Sequence, residues 1–221
     1  MLLYVWPETM KTLLTLGQML AVQARLQPDK MGVRDLERAM TFRQWNERAC
    51  RLANALLGMG LEKGNRVAVL AYNCIEWAEI YAATAKAGLI AVPINFRLTA
   101  KEAAYVIGNS ESTAIIVQDE LLGVIEEARA SLAVPGCNYV HFGAAKTPGG
   151  WRGYEALISR ASSAEPAQAV ADTDPWTLMY TSGTTGKPKG VIRSHRGGAL
   201  LSLVTQIELG FTREEIGRAH V

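Results

Sequence analysis

Short runs of almost continuously apolar residues alternate along the chain with longer segments in which apolar residues recur every three or four positions. Runs of the first kind occupy residues 66–70, 89–94 and 113–117, and such runs are typical of parallel strands buried on both faces. Segments of the second kind are typical of amphipathic helices. The alternation therefore predicts an α/β fold with a mostly parallel sheet and flanking helices.

Capping residues mark several of the predicted helices. Thr41 is a candidate N-cap of one helix, and Thr99 with Glu102 forms a candidate capping box for a later helix. Gly88 is expected to end a helix over residues 75–87. The helix after Thr41 is predicted from an apolar stripe of Trp45, Ala49, Leu52, Leu56 and Met59, and an earlier helix from Leu13, Leu16, Leu20 and Ala24.

The remaining segments complete the predicted order of elements. The other predicted strands are two short ones within residues 31–40, followed by 139–142, 176–180 and 190–195. The other predicted helices are one on the stripe Leu121, Ile125, Ala128 and Leu132, and one over residues 197–210. We expect the strand at 176–180 to be buried because it is apolar. Residues 161–174 are rich in Ala, Ser and Pro, which predicts a surface connection.

Composition changes this picture only slightly. The 221 residues are enough for one sizeable domain, and the net charge of +2 gives no reason to expect a nucleic acid or an anionic membrane as a partner. The three cysteines form no closely spaced pair, and the three histidines do not cluster with them. We therefore expect no metal site within the chain, and a reducing compartment.

The chain carries no clear targeting signal. No apolar run reaches the length of about 18 residues that a membrane span needs. Residues 12–24 could be taken for the apolar part of a signal peptide, but Pro7 and Glu8 stand where the basic start of such a peptide should be. A cytoplasmic location is the prediction.

The stretch from Met179 to Gly190, MYTSGTTGKPKG, combines glycines, hydroxyl groups and lysines between two predicted strands. Its glycines allow the main chain to approach a ligand closely, and successive backbone N–H groups can bind an anion. Hydroxyls add neutral donors, and lysines add positive charge for phosphate oxygens. The candidate ligand-binding residues are Thr181, Ser182, Gly183, Thr184, Thr185, Gly186, Lys187 and Lys189. The alternative is a surface loop with incidental lysines.

This stretch differs from the two best-known phosphate-binding motifs. Only two residues separate Gly183 from Gly186, and Lys187 is followed by Pro188, whereas a Walker loop has a longer spacer and then Lys-Ser or Lys-Thr. Because proline disfavours helical geometry at the residue before it, no helix can begin at Lys187. No GxGxxG motif follows a strand, so a Rossmann dinucleotide site is not supported.

The sequence LMYTSGTTGKPKG resembles the phosphate-loop signature of the adenylate-forming superfamily, which comprises acyl-CoA synthetases, peptide-synthetase adenylation domains and luciferases. TFRQW at 41–45 and KAGLIAVPINFRL at 86–98 are similar to family elements that occur in the same order. Peptide-synthetase domains usually carry aspartate where this chain has Asn95, whereas PINFRL is similar to acyl-CoA synthetases. The resemblance favours a fatty-acid or aryl-acid ligase.

The resemblance implies a two-step reaction that uses ATP, Mg²⁺ and coenzyme A. A carboxylic acid attacks the α-phosphate of ATP, which gives an acyl-adenylate and pyrophosphate, and the thiol of coenzyme A then displaces AMP. The loop would hold the β- and γ-phosphates, and Lys189 is a better candidate than Lys187, whose position varies in the family. Two alternatives stay open: a non-catalytic nucleotide-binding module, and the adenylation domain of a peptide synthetase. His195 either lines a pocket or is a structural histidine, and the second role is favoured.

Other motifs of the family lie beyond these 221 residues: the element that supplies a metal-binding Glu, the ribose-binding Asp, and the lysine of a small C-terminal domain. We therefore expect residues 1–215 to be a partial adenylation domain that has no catalytic residue of its own and no ligase activity alone. Residues 216–221, IGRAHV, are expected not to be native. The string ATC-GGA-AGA-GCA-CAC-GTC would encode them and resembles a common sequencing adapter; the start of a charged helix is the alternative.

Overall fold

The computed structural model describes residues 13–181 and 187–210. Within them the strands are β1 (Met31–Arg34), β2 (Ala39–Thr41), β3 (Arg66–Leu70), β4 (Ile90–Ile94), β5 (Ser112–Gln118), β6 (Tyr139–Phe142), β7 (Arg152–Gly153), β8 (Pro175–Thr181) and β9 (Lys189–Ser194). The helices are α1 (Leu16–Leu26), α2 (Phe42–Gly58), α3 (Ile75–Ala87), α4 (Ala100–Asn109), α5 (Leu122–Ala128), α6 (Tyr154–Arg160) and α7 (His195–Leu209). The expectation that residues 216–221 are not native falls outside the described residues.

Seven of the strands form one sheet in the order β7-β6-β5-β3-β4-β8-β9, and β1 pairs with β2 in a separate hairpin. Neighbours in the large sheet are parallel except β8 and β9, which are antiparallel. The predicted α/β fold with a mostly parallel sheet is therefore confirmed. Because parallel strands point the same way, the carboxyl ends of β3, β4, β5 and β8 meet at one edge, where α/β sheets bind ligands.

The central strand β3 is buried on both of its faces. Val67 and Val69 belong to an apolar cluster with side chains of α2, α3 and α6, whereas Ala68 and Leu70 belong to a second cluster with side chains of α4 and α5. All four side chains are inaccessible to solvent. The continuous apolar run in the sequence thus corresponds to a strand that helices cover on both sides.

The predicted helix boundaries are confirmed where a capping residue marks them. Thr41 caps α2 with Gln44 as its capping-box partner, and Thr99 with Glu102 forms the capping box of α4. Each box satisfies two backbone N–H groups that have no partner within the helix. Gly88 ends α3 in the left-handed conformation, with a φ of 68°.

Two other helices differ more from the prediction, although α1 also begins at a capping box, which Thr15 forms with Gln18. α1 begins after the N-cap Thr15, so Leu13 precedes the helix and is exposed. α5 spans only seven residues between two 3-10 turns and leaves Leu132 outside, with Pro135 soon after it. β7 and α6, two and seven residues long, were not predicted because they are too short to show a clear periodicity.

β8 is a strand, as predicted, but it is not buried. Thr177 is its one buried residue, and Met179 is 40% exposed. The strand pairs with β4 at a single position, Ala91 to Thr177, and its other neighbour β9 is the outermost of the described strands. Val191 and Ile192 of β9 are 54% and 65% exposed. The apolar composition correctly predicted a strand. The exposure of its side chains is determined by its position near the edge of the sheet.

The segment 161–174 contains no helix or strand, and polar contacts fix it to the helices. The Glu165 carboxylate accepts a hydrogen bond of 2.7 Å from the ammonium group of Lys86, whose side chain is only 2% exposed. Asp172 is buried and pairs with Arg196. No helix among the described residues is both long enough and apolar enough to cross a bilayer.

Replacing Gly88 by alanine is expected to destabilise the fold. A side chain there requires a left-handed backbone conformation that costs about 1–2 kcal/mol, and its Cβ would lie 3.0 Å from Cγ of Lys63. Urea unfolding monitored by circular dichroism measures the change. Gly58→Ala is the matched control, because Gly58 is helical and a Cβ added there would meet nothing within 4 Å beyond the backbone of its own helix. Equal unfolding midpoints for Gly88→Ala and the wild type would contradict the prediction.

Candidate functional site

The stretch singled out in the sequence connects the antiparallel strands β8 and β9. Their pairing extends to Thr181 opposite Lys189, so residues 182–188 link the two strands at the carboxyl end of β8. This confirms the prediction that the stretch joins one strand to another. Thr181 and Lys187, the described residues at the two ends of this link, therefore lie at the ligand-binding edge of the sheet.

The structure describes three of the eight predicted ligand-binding residues. Thr181, Lys187 and Lys189 are exposed. Ser182, Gly183, Thr184, Thr185 and Gly186 lie outside the described residues, so their assignment stays a prediction.

Both described lysines keep their charge available to a ligand. Among the described residues, neither Lys187 nor Lys189 forms an ion pair with a carboxylate. Two positive charges that no carboxylate of this part of the chain neutralises favour an anionic ligand. The same described ranges contain no group of three or more His, Cys, Asp or Glu residues that could hold a metal ion.

Gly190 has a structural role that the sequence did not indicate. A Cβ at this position would lie 2.8 Å from Cδ1 of Leu178 and 3.2 Å from the ring of Tyr180. The glycine therefore allows the side chains of β8 to lie across β9. This position therefore requires a close approach between the two strands of the hairpin.

Residues after β3 and β4 add aromatic groups to the same edge of the sheet, and the sequence pattern did not single them out. Tyr72 and Phe96 are about 40% exposed and meet edge to face with ring centroids 5.0 Å apart. The Arg97 guanidinium lies 5.5 Å from the centre of the Phe96 ring. Their position directly after buried strands is the signal that could have identified them.

His195 is a structural residue, as the sequence favoured. It is inaccessible to solvent and begins α7. Its Nδ1 accepts a hydrogen bond from the backbone N–H of Leu16, and its ring stacks on Trp176 at 6.3 Å. Burial lowers the pKa of His195 to about 4, although the negative charges of Asp174 and Asp172 oppose this shift. The residue therefore stays neutral at pH 7 and joins α1 to α7.

A cavity of about 550 Å³ lies elsewhere, between α1, α2, α3 and the segment 161–174. None of its lining residues belongs to the β8–β9 hairpin. Its buried cation, Lys86, is already paired with Glu165. The cavity is therefore separate from the candidate phosphate site.

Comparison with known proteins decides the family. The sequence pattern of the family described as AMP-binding enzyme matches residues 20–219. The chain belongs to the AMP-binding enzyme family. The fold and the resemblance identified from the phosphate-loop sequence agree with this membership.

Relatives in the AMP-binding family include several acid–CoA ligases. The chain is 39% identical over 159 residues to a long-chain-fatty-acid–CoA ligase of Mycobacterium tuberculosis, and the matched segment covers 71% of this chain and 30% of that protein. It is 36% identical over 168 residues to a medium-chain-fatty-acid–CoA ligase of Ectopseudomonas oleovorans, covering 73% of this chain and 31% of that protein. An indoleacetate–CoA ligase of Aromatoleum aromaticum is 34% identical over 187 residues, and the match covers 84% of this chain and 36% of that protein. The chain thus spans about a third of the length of these relatives.

Solved structures of the family give the same result for the fold. The anthranilate–CoA ligase AuaEII, in complex with anthranoyl-AMP, superposes with a TM-score of 0.82 at 28% identity, over 88% of this chain and 37% of that one. A fatty acyl CoA synthetase of Mycobacterium tuberculosis superposes with a TM-score of 0.68 at 32% identity, over 82% of this chain and 34% of that one.

The buried His195 is expected to make stability depend on pH. Below about pH 6.5 the unfolded chain takes up a proton at this histidine, whereas the folded protein does so only near pH 4. Lowering the pH through this range therefore favours unfolding, by about 2 kcal/mol at pH 5. Urea unfolding at pH 7 and pH 5 measures how much stability each protein loses between the two values. The loss should be smaller in His195→Gln than in the wild type, by about that amount. An NMR titration that placed the pKa of His195 near 6.5 would refute the assignment.

Proposed function

We propose that this chain supplies the pyrophosphate-binding part of an ATP-dependent carboxylic acid–CoA ligase. One observation carries the proposal: the hairpin loop at the carboxyl edge of the sheet presents Lys187 and Lys189 without any carboxylate partner among the described residues. Membership in the AMP-binding family supports it. The ligases among the relatives supply the class of reaction.

The proposed first step forms an acyl-adenylate. A carboxylate oxygen of the acid attacks the α-phosphorus of ATP, the bond from the α-phosphorus to the bridging oxygen breaks, and pyrophosphate leaves with the electron pair. Negative charge develops on the leaving group, and lysines and hydroxyls placed against it stabilise that charge. In the second step the sulfur of coenzyme A attacks the acyl carbon, AMP leaves, and the thiol proton is released.

Within this scheme each part of the loop has a simple task. Lys189 and Lys187 neutralise oxygens of the β- and γ-phosphates, and the hydroxyls of Thr181, Ser182, Thr184 and Thr185 donate hydrogen bonds to them. The described residues offer no carboxylate cluster for Mg²⁺. Magnesium that accompanies ATP is coordinated mainly by phosphate oxygens and water. The lysines would supply further positive charge to the same phosphates.

For the acid substrate we propose a fatty acid. The relatives that are 39% and 36% identical to this chain are named as long-chain and medium-chain fatty-acid ligases. The relative named as an indoleacetate–CoA ligase, at 34% identity, makes an aryl acid the competing substrate class. A panel of fatty and aromatic acids in the assay below separates the two.

A cytoplasmic location is part of the proposal. Cys50, Cys74 and Cys137 are free thiols, and burial raises the pKa of Cys50 to about 11 and that of Cys74 to about 12. Free cysteines without a disulfide partner favour a reducing compartment.

The adenylation domain of a peptide synthetase is the second candidate. Asn95, which stands where such domains usually carry aspartate, accepts a hydrogen bond of 3.0 Å from the backbone N–H of Arg97 through Oδ1. An aspartate could accept the same bond. The preference for a CoA ligase therefore depends on the relatives and not on this contact.

Removing the proposed phosphate contacts is expected to slow adenylate formation. In the complete protein that carries this chain, Lys189→Ala and Thr184→Ala should each lower kcat/KM for acid-dependent exchange of labelled pyrophosphate into ATP, roughly ten- to a hundredfold for the lysine and less for the threonine. Lys146→Ala is the matched control, because Lys146 is exposed and follows β6, which three other strands separate from β8 in the sheet. Wild-type rates in both loop variants would refute the phosphate-binding assignment.

The same assay tests the class of protein. Exchange by the wild-type protein with at least one acid supports an adenylate-forming enzyme, and no exchange with any acid favours the nucleotide-binding module. We expect the 221-residue chain alone to be inactive, since adenylate formation requires all groups that position ATP to act together. Clear exchange by that chain would show that the catalytic groups have been misplaced.

A further inference from the structure

Helix α4 contacts the β8–β9 hairpin on both sides of the phosphate loop. Tyr105 reaches the β9 side and Asn109 reaches the β8 side. The two residues are four positions apart and therefore project from the same face of the helix. A single helix face thus contacts both strands at the base of the loop.

The contact on the β9 side involves Pro188 and Lys187. The Tyr105 hydroxyl donates a long hydrogen bond of 3.4 Å to the carbonyl oxygen of Pro188. The Lys187 ammonium lies 5.8 Å from the centre of the Tyr105 ring, within the range of a cation–π interaction. Tyr105 therefore holds both the backbone and a charged side chain at the point where the loop enters β9.

The contact on the β8 side is a shorter hydrogen bond. The Tyr180 hydroxyl donates to Oδ1 of Asn109 at 2.7 Å. Burial, and to a smaller degree the neighbouring Tyr105, raises the pKa of Tyr180, so its phenol remains a donor at neutral pH. Tyr180 precedes Thr181, the first predicted phosphate ligand.

α4 itself is firmly attached to the sheet. Its capping box fixes the first turn, and Ala103, Val106 and Ile107 are buried in the cluster that covers β3. The hairpin, in contrast, pairs with β4 only at Ala91 and Thr177. The hairpin therefore depends on contacts other than the strand ladder to keep its position.

We propose that Tyr105 and Asn109 are positioning residues for the phosphate loop, fixing its two ends relative to the sheet. This inference rests on the proposed function, since it assigns the two residues to the loop that holds pyrophosphate. Neither residue needs to touch the nucleotide. Their effect passes through Lys187, Pro188 and Tyr180, because a displacement of the two ends of the loop moves the groups that bind the phosphates and weakens their contacts.

Pyrophosphate exchange by the complete protein tests the proposal. Tyr105→Leu removes both contacts and is expected to raise the KM for pyrophosphate and for ATP about tenfold, whereas Tyr105→Phe keeps the ring beside Lys187 and should raise them only about two- to threefold. The KM for the carboxylic acid should stay at the wild-type value in both variants. Tyr81→Phe is the matched control, because Tyr81 is half-buried and packs on Trp77 and Trp176, away from the loop.

The contact on the other side gives an independent measurement. Asn109→Ala and Tyr180→Phe should each raise the KM for pyrophosphate about threefold. The double variant should show the same increase as either single variant, because each removes the same hydrogen bond. Asn109 is exposed, so its substitution is expected to leave the urea midpoint unchanged and provides a test if Tyr105→Leu fails to fold.

The outcomes separate this inference from the proposed function. If the wild-type protein catalyses exchange and the KM values for pyrophosphate and ATP are unchanged in Tyr105→Leu and Asn109→Ala, the positioning role is overturned. An equal rise in the KM of the acid would also overturn it, since that result indicates a general loss of structure. If the wild-type protein catalyses no exchange with any acid, the proposed function fails, and this inference fails with it.

Discussion

Burial of β3 on both of its faces is the constraint on which the rest of the structure depends. A strand whose successive side chains Val67, Ala68, Val69 and Leu70 are all inaccessible must be covered by helices on both sides. Parallel neighbours supply this arrangement, because each crossover between parallel strands passes over one face of the sheet. The same parallel order places the carboxyl ends of the strands together, so Thr181 and Lys187, at the two ends of the candidate phosphate loop, lie at the same edge as the exposed rings of Tyr72 and Phe96.

Local chemistry made much of the fold predictable. Continuous apolar runs identified β3, β4 and β5, and the residues that begin or end helices, Thr41, Gly88 and Thr99, marked the boundaries of α2, α3 and α4 correctly. Where no residue of this kind is present, as for α5, the predicted length was wrong. The exposure of β8 could not be read from composition, because it depends on which strands lie beside it.

Only part of the candidate site could be predicted from the sequence. Glycines, hydroxyls and lysines within twelve consecutive residues predict a phosphate-binding loop without any knowledge of the fold. The support from Tyr105 and Asn109 could not be predicted, because these residues lie more than 70 positions before their partners in the chain. His195 shows the same limit. Its environment combines Leu16 and Trp176, which only the folded chain brings together.

The outermost position of β9 has a consequence for handling this polypeptide in solution. Among the described residues, one side of β9 carries backbone N–H and C=O groups that pair with no other strand, next to the exposed side chains of Val191 and Ile192. Such an edge is a template on which a strand of another molecule can add. Association of the isolated 221 residues is therefore expected to increase with protein concentration. Low ionic strength opposes it only weakly, because the net charge of +2 gives little repulsion between molecules.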